Sequence, residues 1–280
     1  MATVQIDILE LTRAAHALAR AGRWADATRL VDAVPAPAEA PTTAASGTAT
    51  PPNPAAELAL AAAEVALEWD WFAGTDHAEP RLRHPALDQA DPWAVAYARL
   101  RAAYLRQFSG VRDQRAIAAL AAEADRLADQ APDAVRRGWA LFYRGVIDDN
   151  LAGRRADAPA RYLAALGSGD DLLDREALRH LGDHDHDAGH HEAALARWER
   201  ATALGARAGA VTGTLSQQLL LAVLHRDAGD EAAAVGVAGE VARWSGALGA
   251  TRLAASATAF LNGVDPTADP TDKTSPETGS

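Results

Sequence analysis

The chain has no cysteine, a single methionine among 280 residues, and one lysine, Lys273. Without cysteine there can be no disulfide, no thiolate nucleophile and no cysteine-type zinc site. Valine and isoleucine are sparse, and strand-type alternation of apolar and polar residues is absent, which argues against a sheet. Long apolar runs are missing too. A membrane-spanning helix needs roughly 18 apolar residues or more, and the run from Leu58 to Leu67 is interrupted by Glu64. The first residues, Met1 to Asp7, hold neither a basic region nor an extended apolar stretch, so no signal peptide is expected and a cytoplasmic, membrane-free protein is. Clustered cations are also lacking. With a net charge of −11 and arginines interleaved among more numerous carboxylates, the chain has no surface suited to displacing counterions from a phosphate backbone, so nucleic acid is not an expected partner. The short basic pairs Arg136-Arg137 and Arg154-Arg155 read as solvated helix faces.

What is present is helix-forming. Hydrophobic residues make up 49% of the chain, enough for a sizeable core, and alanine, leucine, arginine and glutamate dominate. The expected fold class is all-α. Helices are expected at about 5–20, 24–34, 55–73, 91–108, 112–130, 133–152, 155–167, 171–188, 191–204, 211–228, 230–248 and 250–262. Asp91-Pro92 and Ala131-Pro132-Asp133 are helix-start signals, because proline fits the first turn and an acid favours its positive end. Two segments are too poor in large apolar side chains to offset backbone ordering. The expected organisation is therefore a helical hairpin at 1–34, a flexible linker at 35–54, a helical domain at 55–262 and a disordered tail at 263–280.

Small and large residues recur in phase. Gly145-Val146, Gly153, Ala158, Tyr162 and Ala165 form one set; Leu181-Gly182, Gly189, Ala194, Trp198 and Ala201 form the next; Leu221-Ala222, Gly229 and Ala234 form a third. Ala14-Ala15, Gly22, Trp24, Ala27 and Val31 repeat the layout near the N-terminus. A glycine suits the turn, small residues let the two helices of a hairpin approach, and the large ones are expected to fill the gap between hairpins. On these residues the chain resembles the tetratricopeptide-repeat superfamily. The resemblance implies a TPR-like right-handed solenoid of stacked antiparallel helix pairs, with a concave groove that holds a protein or peptide partner.

The sequence departs from the family four positions before each turn glycine. Asp149, Asp185 and His225 stand where an aromatic or apolar residue is usual. Unpartnered polar groups cost about 1–3 kcal/mol when buried, so these three are expected to be semi-buried members of an internal polar network. Together with His184 they are the candidate acid–base residues. Helices about 8–10 Å apart cannot present all three to one ion. A denser cluster follows: His180 and His184 lie one turn apart, with Asp187 on the same arc, a spacing that suits a divalent metal. A structural role near a helix C-terminus is the other reading of these histidines. No further cofactor is expected. By helical phase Tyr143, Asn150, Glu176, Arg179, Asp183, His186 and Arg226 face the groove and form the expected ligand-binding surface. No complete catalytic constellation is visible. The favoured expectation is a non-enzymatic interaction protein, and the alternative is a small-molecule binder or enzyme, metal-dependent or not, with a His/Asp pocket.

Overall fold

The computed structural model describes residues 7–34 and 53–266. Most of the expected linker and tail lies outside these residues. Among the described residues the protein is all-helical and contains no strand. The helices are α1 (Ile8–Arg20), α2 (Trp24–Asp32), α3 (Pro54–Ala73), α4 (Ala78–Arg81), α5 (Pro92–Ser109), α6 (Gln114–Asp129), α7 (Ala134–Asn150), α8 (Ala158–Ala165), α9 (Asp171–Asp187), α10 (His191–Arg207), α11 (Val211–Asp227), α12 (Glu231–Leu248) and α13 (Thr251–Leu261). Short 3-10 turns cover Pro85–Gln89 and Arg155–Asp157.

Local chemistry explains most helix starts. Asp91 accepts hydrogen bonds from the amides of Trp93 and Ala94, with Pro92 opening the first turn. Asp133 does the same for Arg136 at 2.8 Å. Asp170 caps α9 through Leu172 and also accepts from Trp139 Nε1 at 2.9 Å, so one carboxylate starts a helix and ties it to α7. The stretch 74–90 carries no helical periodicity, yet it holds α4 and a 3-10 turn. Its cap comes from outside: the buried Asp70 carboxylate, on α3, accepts from Thr75 Oγ1 and from the amides of His77 and Ala78 at 2.7–2.9 Å.

The glycine turns recur closely. Gly189 and Gly229 take φ of 77° and 80°, a left-handed conformation that side chains resist. Gly209, midway between them, and Gly249, twenty residues further on, do likewise, so turns fall every twenty residues from Gly189 to Gly249. The large residues fill the gap within their own hairpin, not the expected gap between hairpins. A Cβ on Gly182 would lie 2.2 Å from Trp198 Nε1, and one on Gly145 would lie 2.6 Å from the Tyr162 ring. Both aromatic residues are completely buried.

Consecutive helices pack against one another along the chain, and the two ends of the row then meet. The apolar helix α3 is covered by α1 and α2, by α5, and by α13, while α1 also touches α11. Trp24, Val31, Val65, Leu219, Val241 and Phe260 belong to one buried cluster, and Thr251 Oγ1 donates to the Ala73 carbonyl at 2.7 Å. The hairpin expected at 1–34 thus shares its core with the C-terminal helices. Trp69 and Phe72 stack on Trp24 within that contact.

Candidate functional site

Three polar clusters arise from this packing. The first centres on Asp149, whose side chain is 3% exposed near the end of α7. Its Oδ1 accepts from Arg155 Nη1 at 3.1 Å, and its Oδ2 accepts from the Tyr162 hydroxyl at 2.9 Å. His184 Nε2 lies 3.1 Å from the same oxygen, with His180 Nδ1 at 3.9 Å. Burial opposes the charge on Asp149, but the His184 hydrogen bond and the neighbouring cations hold its carboxyl below the ordinary range. Burial, reinforced by Arg179, pushes His180 well below the usual imidazole value. Its ring stacks on Tyr162 at 5.0 Å. Burial also raises Asp183 to about 6, against the attraction of Arg179 and with added repulsion from Asp149 and Asp187.

The expected polar file does not join into one network. Asp149 is buried as described and His184 belongs to its cluster. Asp185 pairs with Arg197 across its own hairpin at 2.9 Å. His225 is exposed. Its neighbour Arg226 takes the covered position instead: the guanidinium donates to the Phe260 carbonyl at 2.9 Å and stacks 3.7 Å from that ring, at the end of the short α13. The acid–base candidates therefore reduce to Asp149 with His184. The expected metal set separates too, because Asp187 is turned to Arg155 as an ion pair and leaves His180 and His184 facing Asp149.

The second cluster holds most of the expected binding surface. Tyr143, Asn150, Glu176, Arg179 and Asp183 lie together, whereas His186 pairs with Asp227 and Arg226 with Glu231, away from them. Asn150 Nδ2 donates to the Tyr104 hydroxyl at 2.8 Å. Tyr143 meets Tyr97 and Tyr104 edge-on at 5.4 and 5.7 Å, and the nearby Arg101 offsets part of the rise that burial gives its hydroxyl pKa. Opposite, α3 presents Glu64, 2.9 Å from His16, and Glu68 one turn later. Burial raises the Glu68 carboxyl against the pull of Arg101, Arg20, His16 and Arg175. Helices α1, α3, α5, α7 and α9 thus direct ionisable side chains into one interior. Arg175 is lodged there through Gly213, whose carbonyl accepts from Nη2 at 2.7 Å and whose missing side chain leaves the guanidinium room.

Glu64, Glu68, Tyr97, Arg101 and Tyr104 lie outside the binding surface expected from helical phase. One signal is legible: Glu64 and Glu68 stand one turn apart within the most apolar stretch of α3. The third cluster, His186, His191 and Asp227, brings one ligand atom from each residue within 4.8 Å of the others. Two concavities lie outside these clusters, one of about 450 Å3 beside Trp93, Arg126 and Arg136, the other of about 180 Å3 between Val31, Leu58 and His84. Among the described residues no helix is long and apolar enough to cross a membrane. No family model, curated protein or solved structure matches the chain.

The paired shifts of Asp183 and His180 give an expected pH response. A raised carboxyl contributes stability that is complete below about pH 3.8 and is lost as pH rises through about 6. A depressed imidazole contributes stability present above about pH 6.5 and lost as pH falls. Below about pH 6 the two slopes oppose, so each partly masks the other in the wild type. Asp183→Asn should then lose stability steeply on acidification below pH 6.5, while His180→Gln should gain it, by on the order of 3 kcal/mol at about 1.36 kcal/mol per unit. Urea unfolding at half-unit pH steps measures both. Parallel profiles for wild type and variants would show that neither group is perturbed.

Proposed function

We propose that this chain is a non-enzymatic binding protein of helical-repeat type, organised like a tetratricopeptide-repeat solenoid whose ends have come together. Its inner face receives a short peptide segment carrying both signs of charge. The observation that supports this is the convergence of Glu68, Tyr97, Arg101, Tyr143, Arg179 and Asp183 from four helices onto one partly accessible interior. Among the described residues Glu68 makes no ion pair of its own, although Arg101 and Arg20 are close enough to act on it. A basic group on a guest would complete Glu64 and Glu68, a carboxylate would complete Arg101 in the bidentate manner arginine favours, and the tyrosines supply rigid contact area.

A random peptide library panned against the wild-type protein should return binders whose affinity falls at least ten-fold in both Glu68→Gln and Arg101→Ala, with circular dichroism unchanged. Binders indifferent to both substitutions, or none, would remove the reading. The alternative, a small-molecule or acid–base site at Asp149 and His184, rests on their 3.1 Å contact. Tyr162 and Arg155 already occupy the remaining capacity of that carboxylate, which favours a positioning role.

A further inference from the structure

We infer that His186, His191 and Asp227 form a site for a divalent transition metal of the zinc type, distinct from the inner face. Three helix ends meet here: the last turn of α9, the first residue of α10 and, some forty residues further on, the last residue of α11. The left-handed turn at Gly189 reverses the chain between the two histidines, and the next reversal, at Gly209, returns the end of α11 to the end of α9. One ring nitrogen from each histidine and one carboxylate oxygen lie within 4.8 Å of each other. Two imidazoles and a carboxylate are a common zinc donor set, with bonds near 2.0–2.2 Å and a remaining position for water. His191 and Asp227 are exposed, so small side-chain rotations can close the set on an ion and solvent can reach it.

Two further observations point to a cation. First, His186 Nε2 lies 2.7 Å from Asp227 Oδ2, so without metal the proton of a neutral ring sits on Nε2. That leaves Nδ1 buried without a hydrogen-bond partner among the described residues, 3.6 Å from the Asp187 carboxylate, one acceptor facing another. A metal on Nε2 moves the proton to Nδ1 and turns that clash into the carboxylate–histidine–metal relay typical of such sites. Second, the C-terminal ends of α9 and α11 converge here with Asp187 and Asp227 beside them. Both helix ends carry partial negative charge, so carboxylates are misplaced there and a cation is favoured. The Trp198 ring, 5.7 Å away, backs the His186 ring and restrains its orientation. A bound ion would tie the α9–α10 hairpin to α11.

The test is zinc titration calorimetry on the full-length, untagged protein, with cobalt absorption spectra as a second readout. One equivalent of zinc should bind and raise the melting temperature. His191→Ala, an exposed position that leaves the core intact, should weaken binding at least 100-fold and abolish the thermal shift. Asp187→Asn should weaken it about ten-fold by removing the acceptor behind His186, whereas the double variant His180→Ala, His184→Ala should bind as wild type does. Less than a tenth of an equivalent bound, no effect of His191→Ala, or loss in the His180/His184 variant alone would each overturn the proposal.

Discussion

Replacing Trp198 with alanine is expected to destabilise the protein by about 3–5 kcal/mol, the usual cost of emptying a large buried aromatic site. Trp198 is completely buried, and its indole Nε1 donates to the Arg179 carbonyl at 2.9 Å. It lies directly over Gly182, where the absence of a side chain lets the indole rest on the backbone of α9. The reciprocal change should therefore also be harmful. Gly182→Ala gains about 1 kcal/mol of helix propensity, but its methyl would meet the indole at 2.2 Å, and overpacking typically costs 1–3 kcal/mol or more. Trp198→Phe should relieve part of that clash, so the double variant should be more stable than the sum of the single effects predicts. Urea midpoints at constant slope measure all four members of the cycle. A loss below 1 kcal/mol in Trp198→Ala, or strict additivity, would show that the pair does not set the spacing of α9 and α10.

Asp148 is the second position where a large effect is expected. Its side chain is 1% exposed, and it forms ion pairs with Arg144 and with Arg154, the latter at 2.6 Å. Arg144 is itself buried. Removing one member of a buried pair leaves the other charge uncompensated, at a cost of about 3–5 kcal/mol. Asp125, 3.0 Å from Arg144, stays in place, so Asp148→Ala should fall near the lower end, about 3 kcal/mol. Arg154→Ala, which removes a half-exposed partner, should cost under about 1 kcal/mol. The contrast is diagnostic. Equal losses in the two variants would mean that Asp148 acts through Arg154 alone. Asp149, the next residue, makes an entirely separate set of contacts with Tyr162 and His184, so Asp149→Asn should leave the Asp148 effect intact.

Those two acids also show how far sequence could be read. Both stand at the end of α7, and the position of Asp149 four residues before Gly153 marked it as semi-buried. Asp185 follows the same rule and His225 breaks it, because cover at that position depends on which helix lies opposite. At α7 the cover is Tyr162 with His180 and His184; at α11 the end of α13 is met by Arg226. No local pattern encodes that difference. The interior charges were illegible for a similar reason. Glu68 is acted on by Arg101 and Arg175, more than thirty and a hundred residues away, and only the folded chain sets them face to face.

Composition and short-range spacing were enough to establish the helices outside 74–90, aspartate caps such as Asp91 and Asp170, and the glycine turns, since each depends on interactions within a turn or between adjacent residues. The meeting of α1 and α3 with α11 and α13, the polar interior and the His186–His191–Asp227 group came from long-range packing. Such contacts require many weakly specific alanine and leucine surfaces to be satisfied at once, and the identity of any one residue says little about which distant surface will cover it.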